Sequence, residues 1–218
     1  MPFQSQPFRF GAVILAAGAS TRMGEPKQLL RIGDRTLLRR AIDAALASAA
    51  WPVVVVLGAH LEKIRPESAR LPVLVVENPD WEEGLSTSIR AGVRVLDAFS
   101  LSLQAGVFVL CDQPCLSAGV FAQLADVHSR SGKTIVATRY VSPGPDPGGG
   151  HLGPPALFAR RHFHELQELR GLGGAKPLFE RHADALAAVT LPELAVDLDT
   201  PEDCKKFFAT TTPAPKKI

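Results

Sequence analysis

The chain has 218 residues, 46% of them hydrophobic and 21% charged, a globular composition with room for one sizeable core. That excludes wholesale disorder, and 18 glycines with 18 prolines but no G-x-y period exclude collagen. A net charge of +2, from 24 basic against 22 acidic residues, excludes a general attraction to nucleic acid or to an anionic membrane, so any anion site has to be local.

In chain order, residues 1–9 read as a frayed end. Arg9 followed by Gly11–Ala19 has the outline of a short signal peptide, but the same residues serve better as a strand and the loop leaving it. Ala12–Ala16 is the first strand candidate. Thr36–Ala49 is a helix candidate with Leu38, Ile42, Ala45 and Ala49 on one face. Val53–Leu57 and Val73–Val76 read as strands. Gly84–Ala98 reads as a helix that repeats Leu85, Ile89, Val93 and Leu96. Val107–Cys111 is a further strand. Ser117 is placed to cap the next helix, with Leu116 and Phe121 as a hydrophobic staple. Thr134–Thr138 is the last strand predicted. Val141–Gly153, with five glycines and three prolines, reads as neither helix nor strand but as a hairpin tip or a lid, with His151 either at the acceptor or on the surface. Thr200-Pro201-Glu202-Asp203 has the form of a helix start, and 211–218 of a second frayed end.

Continuous apolar strands suit a sheet covered on both faces. Their alternation with amphipathic helices predicts an α/β fold, a three-layer α/β/α sandwich with a Rossmann-like, mostly parallel sheet. One domain is expected over 1–218, with its core at about 11–208. Ligands in such folds collect at the carboxyl ends of the strands. No stretch approaches the ~20 apolar residues of a membrane helix. Three cysteines (Cys111, Cys115, Cys204) are too few for a disulfide scaffold and fit a reducing, cytoplasmic setting. Neither the C-x3-C pair nor the histidines (His60, His128, His162, His164, His182) show a metal-ligand spacing.

The most informative segment is Leu15-Ala16-Ala17-Gly18-Ala19-Ser20-Thr21-Arg22-Met23-Gly24-Glu25-Pro26-Lys27-Gln28-Leu29-Leu30. It leaves the first strand at the ligand edge. Small residues from Ala16 to Ser20 let backbone N–H groups approach a phosphate chain, and Arg22 and Lys27 bring positive charge against one local acid, Glu25. It is not a Walker loop, because Lys27 lacks the flanking Gly and Ser/Thr. Nor is it G-x-G-x-x-G, which argues against an NAD-dependent redox enzyme. Composition alone also allows a flexible surface loop with solvated charges.

The pattern L-A-A-G-x-S-x-R-M-G-x-P-K-x-L-L resembles the nucleotide-binding signature of the nucleotidyltransferases that include molybdenum cofactor cytidylyltransferase. Asn78-Pro79-Asp80-Trp81-Glu82-Glu83-Gly84, with Ser86 and Ser88 beyond it, resembles that family's N-P-x-W-x-x-G-x-x-x-S segment. Asp112-Gln113-Pro114, Gly153-Pro154-Pro155-Ala156-Leu157-Phe158 and Asp197-Leu198-Asp199-Thr200-Pro201-Glu202-Asp203 follow in the family's order. The resemblance implies a nucleotide-diphospho-sugar transferase-like fold and transfer of an NMP from an NTP, CTP favoured, to the phosphate of molybdopterin. It implies that Leu15, Ala16, Ala17 and Gly18 wrap the nucleotide, that Arg22 and Lys27 neutralise its phosphates, and that Asn78 and Ser88 border the base. The product would pass to a molybdoenzyme. The Ala16-Ala17-Gly18 form looks like the cytidylyl branch. Gly171-Leu172-Gly173-Gly174-Ala175-Lys176 departs from the family's G-D-x-G-A-K, because Leu172 replaces an acid, and this touches the acceptor side.

Asp112 directly follows an apolar strand, so its carboxylate stands at the ligand edge and suits Mg²⁺, which prefers oxygen ligands; the plainer reading is a turn-initiating Asp. Asp197 and Asp199 share a side of an extended segment, and the pattern does not separate them. The family's order favours Asp199 as the second Mg²⁺ ligand, with Asp203 a helix-start acid. Three alternatives stand beside this reading. One is guanylyl transfer to molybdopterin. Another is nucleotidyl transfer to a sugar phosphate or other small phosphate. The third is a non-catalytic cofactor-binding accessory protein.

Overall fold

The computed structural model describes residues 8–141, 150–194, 196, 198 and 200–211. Among the described residues nine strands form: β1 (Phe10–Ala16), β2 (Arg31–Ile32), β3 (Arg35–Thr36), β4 (Val53–Leu57), β5 (Leu74–Glu77), β6 (Ala105–Leu110), β7 (Ile135–Val141), β8 (Gly150–Ala159) and β9 (Leu186–Thr190). Seven helices accompany them: α1 (Leu37–Leu46), α2 (Leu61–Ile64), α3 (Leu85–Phe99), α4 (Ala118–Ser131), α5 (Phe163–Gln167), α6 (Lys176–Arg181) and α7 (Pro201–Thr211). β2 and β3 make a small hairpin of their own, and the other strands form one sheet in the order β5-β4-β1-β6-β8-β7-β9. Only β8 runs against its neighbours; β1 pairs parallel with β4 and β6, β4 with β5, and β7 with β9.

The three layers follow from period-two alternation along strands that are buried on both faces. Ala12, Ile14, Val53, Val55 and Leu57 point to one side, where they pack with Leu38, Ala41 and Ile42 of α1 and with Phe121 and Leu124 of α4. Val13, Leu15, Val54 and Val56 point to the other, against Ile89, Val93 and Leu96 of α3, Phe163 of α5 and Phe179 of α6. Leu116 and Phe121 share the first cluster, as the staple requires, but the Ser117 side chain makes no cap bond. At α7 the cap is reciprocal: Thr200 Oγ1 accepts from Asp203 N (3.2 Å) and Asp203 Oδ2 accepts from Thr200 N (2.8 Å).

Two expectations need correction. The first helix stops at Leu46, and Ala49 is exposed rather than on its buried face, because Ser48 Oγ donates to the Ala45 carbonyl (2.7 Å) and ends the turn. The segment read as neither helix nor strand is in part a ladder, since Val141 pairs with Gly150 and Tyr140 with His151. The register jumps from Ala137↔Ala156 to Thr138↔Gly153, so Pro154 and Pro155, which have no N–H to give, sit in the bulge. Residues 142–149, the middle of the expected lid, lie outside the described residues, as do 1–7 and 212–218 of the expected tails. Among the described residues no helix is long and apolar enough to cross a membrane.

Candidate active site

β1, β4 and β6 lie side by side and parallel, so the chain segments leaving them meet at one edge of the sheet. After β1 the chain turns through Ser20, whose φ is +57°, a left-handed conformation unusual for a serine. The turn places Ser20 Oγ to accept from Lys27 N (3.0 Å) and to donate to Gln28 Oε1 (3.3 Å). Gln28 is 1% exposed and donates through Nε2 to the carbonyls of Ala16 (3.0 Å) and Gly18 (2.7 Å). One buried amide therefore holds the loop in shape from inside.

Lys27 begins the short 3-10 turn Lys27–Leu29, and its Nζ pairs with Asp112 Oδ2 across 85 residues of sequence. Asp112 is buried just past the end of β6. Its second oxygen, Oδ1, is buried with no hydrogen-bond partner among the described residues. A buried carboxylate oxygen left without a donor is costly, and a hard cation is the partner that chemistry favours for it. Arg40 of α1 donates to the Pro114 carbonyl (3.2 Å), and Gln113 donates to Tyr140 Oη (2.6 Å), so the Asp112-Gln113-Pro114 turn is tied to α1 on one side and to β7 of its own sheet on the other.

The facing wall comes from the turn after β5 and the start of α3. Asn78 is buried and donates to Thr87 Oγ1 (2.8 Å) and Ser88 Oγ (3.0 Å), which orients Ser88. Gly84 has φ +110°, and a side chain there would strike Leu172 at 2.8 Å, so glycine is required at this corner. Together, Leu15–Thr21, Lys27, Gln28, Trp81, Glu82, Gly84, Leu85, Ser88 and Leu110–Asp112 enclose a cavity of about 420 Å³. A small apolar recess of about 70 Å³ adjoins it through Leu15 and Leu85 and reaches Gly153, Phe158 and Lys176. Burial pushes the Cys111 thiol up to about 12, with the Asp112 carboxylate adding to the shift and Lys27 opposing it, so this cysteine stays protonated and is not a nucleophile.

The cavity brings together Leu15, Ala16, Ala17, Gly18, Lys27, Ser88 and Asp112, as expected from the sequence. It does not include two expected residues. Arg22 stands on the exposed turn 21–25, and Asn78 acts one step back, through Ser88. The Leu198 N–H donates to the Asp112 carbonyl (3.3 Å), which brings that part of the chain beside β6, but Asp197 and Asp199 lie outside the described residues. His151 is exposed and stacked on Tyr140 (ring centroids 5.1 Å apart), and Leu172 is 77% exposed at the cavity rim. Sequence reasoning assigned no role to Gln28 or to Trp81. The signal for Gln28 was a polar side chain directly after Lys27 and before Leu29-Leu30. For Trp81 it was a single aromatic inside a polar turn.

The sheet order is that of the nucleotide-diphospho-sugar transferase fold. Residues 12–188 match the MobA-like NTP transferase domain, and the chain belongs to that family. It is 36% identical to the nicotine blue oxidoreductase of Paenarthrobacter nicotinovorans, over 69% of this chain and 67% of that protein. It is 29% identical to the molybdenum cofactor cytidylyltransferase of Escherichia coli, over 88% of this chain and 91% of that one. Among solved structures, Rv0371c of Mycobacterium tuberculosis in complex with manganese superposes with a TM-score of 0.72 at 26% identity, covering 93% of this chain and 100% of the other. Other curated relatives are bifunctional proteins, of which the chain spans 21% to 29%.

Proposed function

We propose that this nucleotidyltransferase moves CMP from CTP to the phosphate of molybdopterin and releases pyrophosphate. The Lys27–Asp112 pair within the phosphate-loop cavity carries the reading. An acceptor phosphate oxygen attacks the α-phosphorus in line. A new P–O bond forms as the bond to the bridging oxygen breaks, and pyrophosphate leaves with that electron pair. The loop N–H groups and Lys27 meet charge as it develops on the phosphates, and they are held in place before substrate arrives. Asp112 Oδ1, buried and without a hydrogen-bond partner among the described residues, fits Mg²⁺, and Asp199 is the proposed second ligand. When bound, the cation neutralises phosphate charge and orients the leaving group. The manganese complex of Rv0371c supports a divalent-cation requirement. Trp81 and Ser88 flank the base, Arg22 reaches the phosphates from the exposed turn, and the apolar recess ending at Lys176 takes the acceptor. Three free cysteines accord with action in the cytoplasm, ahead of a molybdoenzyme that receives the product.

The test is pyrophosphate release from a panel of CTP, GTP, UTP and ATP with molybdopterin or sugar phosphates, with and without Mg²⁺. Release with CTP and molybdopterin alone is the expected result. GTP preference moves the reading to guanylyl transfer, sugar-phosphate use moves the acceptor, and tight binding without turnover of any NTP leaves an accessory protein. A second reading, redox chemistry, is favoured by the name of the Paenarthrobacter relative, since that kinship makes the missing glycine fingerprint a weak argument against it. Oxidation of a reduced nicotinamide cofactor by a quinonoid dye, without pyrophosphate release, would select that reading.

A further inference from the structure

A second cluster of ligating side chains stands at the opposite edge of the sheet. His162 ends the turn after β8, Glu165 lies on α5, and His182 follows α6. Thr134, just ahead of β7, accepts a backbone bond from Ala159 at the end of β8 and donates one to Ala185, so the cluster sits at the amino ends of the parallel strands. The phosphate loop and Asp112 are at their carboxyl ends.

From this geometry we infer that His162 Nδ1, Glu165 Oε1 and His182 Nε2 form a zinc site that clips α5 to the end of α6. The three donor atoms lie within 4.8 Å of one another. Glu165 Oε1 is 3.2 Å from His162 Nδ1 and 2.9 Å from His182 Nε2. Zinc bonds of about 2.0–2.2 Å in a tetrahedron put neighbouring donors roughly 3.3–3.6 Å apart, so the two glutamate gaps need only a small widening to take the ion. Two imidazoles and one carboxylate suit zinc better than a hard cation.

The surroundings fit a ligand set. His162 Nε2 is 2.8 Å from Thr134 Oγ1, an outer contact of the kind that orients a ligating imidazole and frees Nδ1. Arg181 donates to Glu165 Oε2 (2.9 Å), and His182 Nε2 lies 2.9 Å from that oxygen as well as from Oε1, so Glu165 faces this imidazole with both oxygens and Oε1 is the one that His162 also reaches. Solvent fills the fourth position. The ligands bracket residues 168–175, where Arg170 accepts from Ser86 (3.1 Å) and Leu172 abuts Gly84 at the cavity rim. Zinc there holds the frame of the proposed acceptor loop.

The test uses the tag-free full chain stripped with chelator and kept in excess Mg²⁺, titrated with Zn²⁺ alone. One equivalent is expected to bind and to raise Tm by roughly 5–10 °C at a hundred times Kd. Glu165→Gln and His182→Gln should each weaken binding at least tenfold, whereas Asp112→Asn should bind normally. Circular dichroism of the metal-free proteins checks that each variant folds. Co²⁺ substitution reads the wild type directly: bands of a nitrogen–oxygen site without thiolate charge transfer support the assignment. The absence of a saturable equivalent, retention by both variants, or thiolate bands that place the ion on cysteine would each overturn it.

Discussion

Gln28 shows how one side chain prepares a site it did not announce. Its amide bonds to the Ala16 and Gly18 carbonyls replace water that the loop would otherwise need, and they hold Lys27 toward Asp112. Replacing Gln28 with Leu removes both bonds and leaves those carbonyls short of a donor. Stability should fall by about 2 kcal/mol in urea unfolding, and the KM for NTP should rise about tenfold with less change in kcat. Lys27→Ala acts mainly on the chemistry, and kcat/KM in the pyrophosphate assay should drop on the order of 100- to 1000-fold, with a fall in Tm as well because the buried Asp112 carboxylate loses its cation. Wild-type turnover from that variant would remove Lys27 from the mechanism. Asp112→Asn keeps the volume but loses the anionic oxygen that Mg²⁺ would take. Its turnover should approach that of the wild type in EDTA, and metal added back should rescue only the wild type. At this scale it was the resemblance of their segments to the family's that pointed to the loop residues, Lys27, Ser88 and Asp112, because composition and spacing alone left a solvated surface loop and a turn-initiating Asp equally open. Asn78 belongs one step behind the cavity because its amide is spent on Thr87 and Ser88, which spacing alone does not reveal.

At the scale of elements, α3 depends on a missing side chain. A Cβ on Gly92 would come within 2.3 Å of Val13 Cγ1, in the middle of the central strand, so the helix lies directly on β1 there. Gly92→Val should destabilise the protein by about 2 kcal/mol or more, despite gaining a side chain, because neither the helix nor the strand has room to move. An unchanged midpoint in urea would mean that the contact is looser than the packing implies. The strands at Phe10–Ala16, Val53–Leu57 and Ala105–Leu110 were readable because burial on both faces leaves an unbroken apolar run. β8 was not, because its first residues fall in the glycine- and proline-rich Val141–Gly153, and only the partner strand shows that a bulge carries Pro154 and Pro155 past the ladder. β9 escaped as well. Its residues alternate between half-buried and exposed at the edge of the sheet, and Leu-Ala-Ala-Val-Thr has no pattern that sets it apart from a helix end.

In the whole molecule, the cavity is assembled from three segments of the chain: the loop after β1, the turn before α3 and the end of β6. A ligand bridging all three binds the folded state only. CTP with Mg²⁺ at a hundred times Kd should therefore raise Tm by roughly 5–10 °C, and the cytidylyl reading predicts a smaller shift with GTP, both measured by calorimetry. An equal shift with both nucleotides would count against base selection by Trp81 and Ser88. The sequence by itself determined the layer architecture, the small-residue loop after β1 and the acid at the end of β6, because these rest on local patterns: apolar runs, small residues, a charge directly after a strand. Tertiary structure decided what depends on residues far apart in the chain. It paired Lys27 with Asp112, buried Gln28 under its own loop, left Asp112 Oδ1 without a donor among the described residues and gathered His162, Glu165 and His182 at the far edge. The physical reason is one of range. Periodicity and turn chemistry act over a few residues, whereas the order of strands in a sheet sets which distant side chains share a dielectric, a hydrogen bond or an ion.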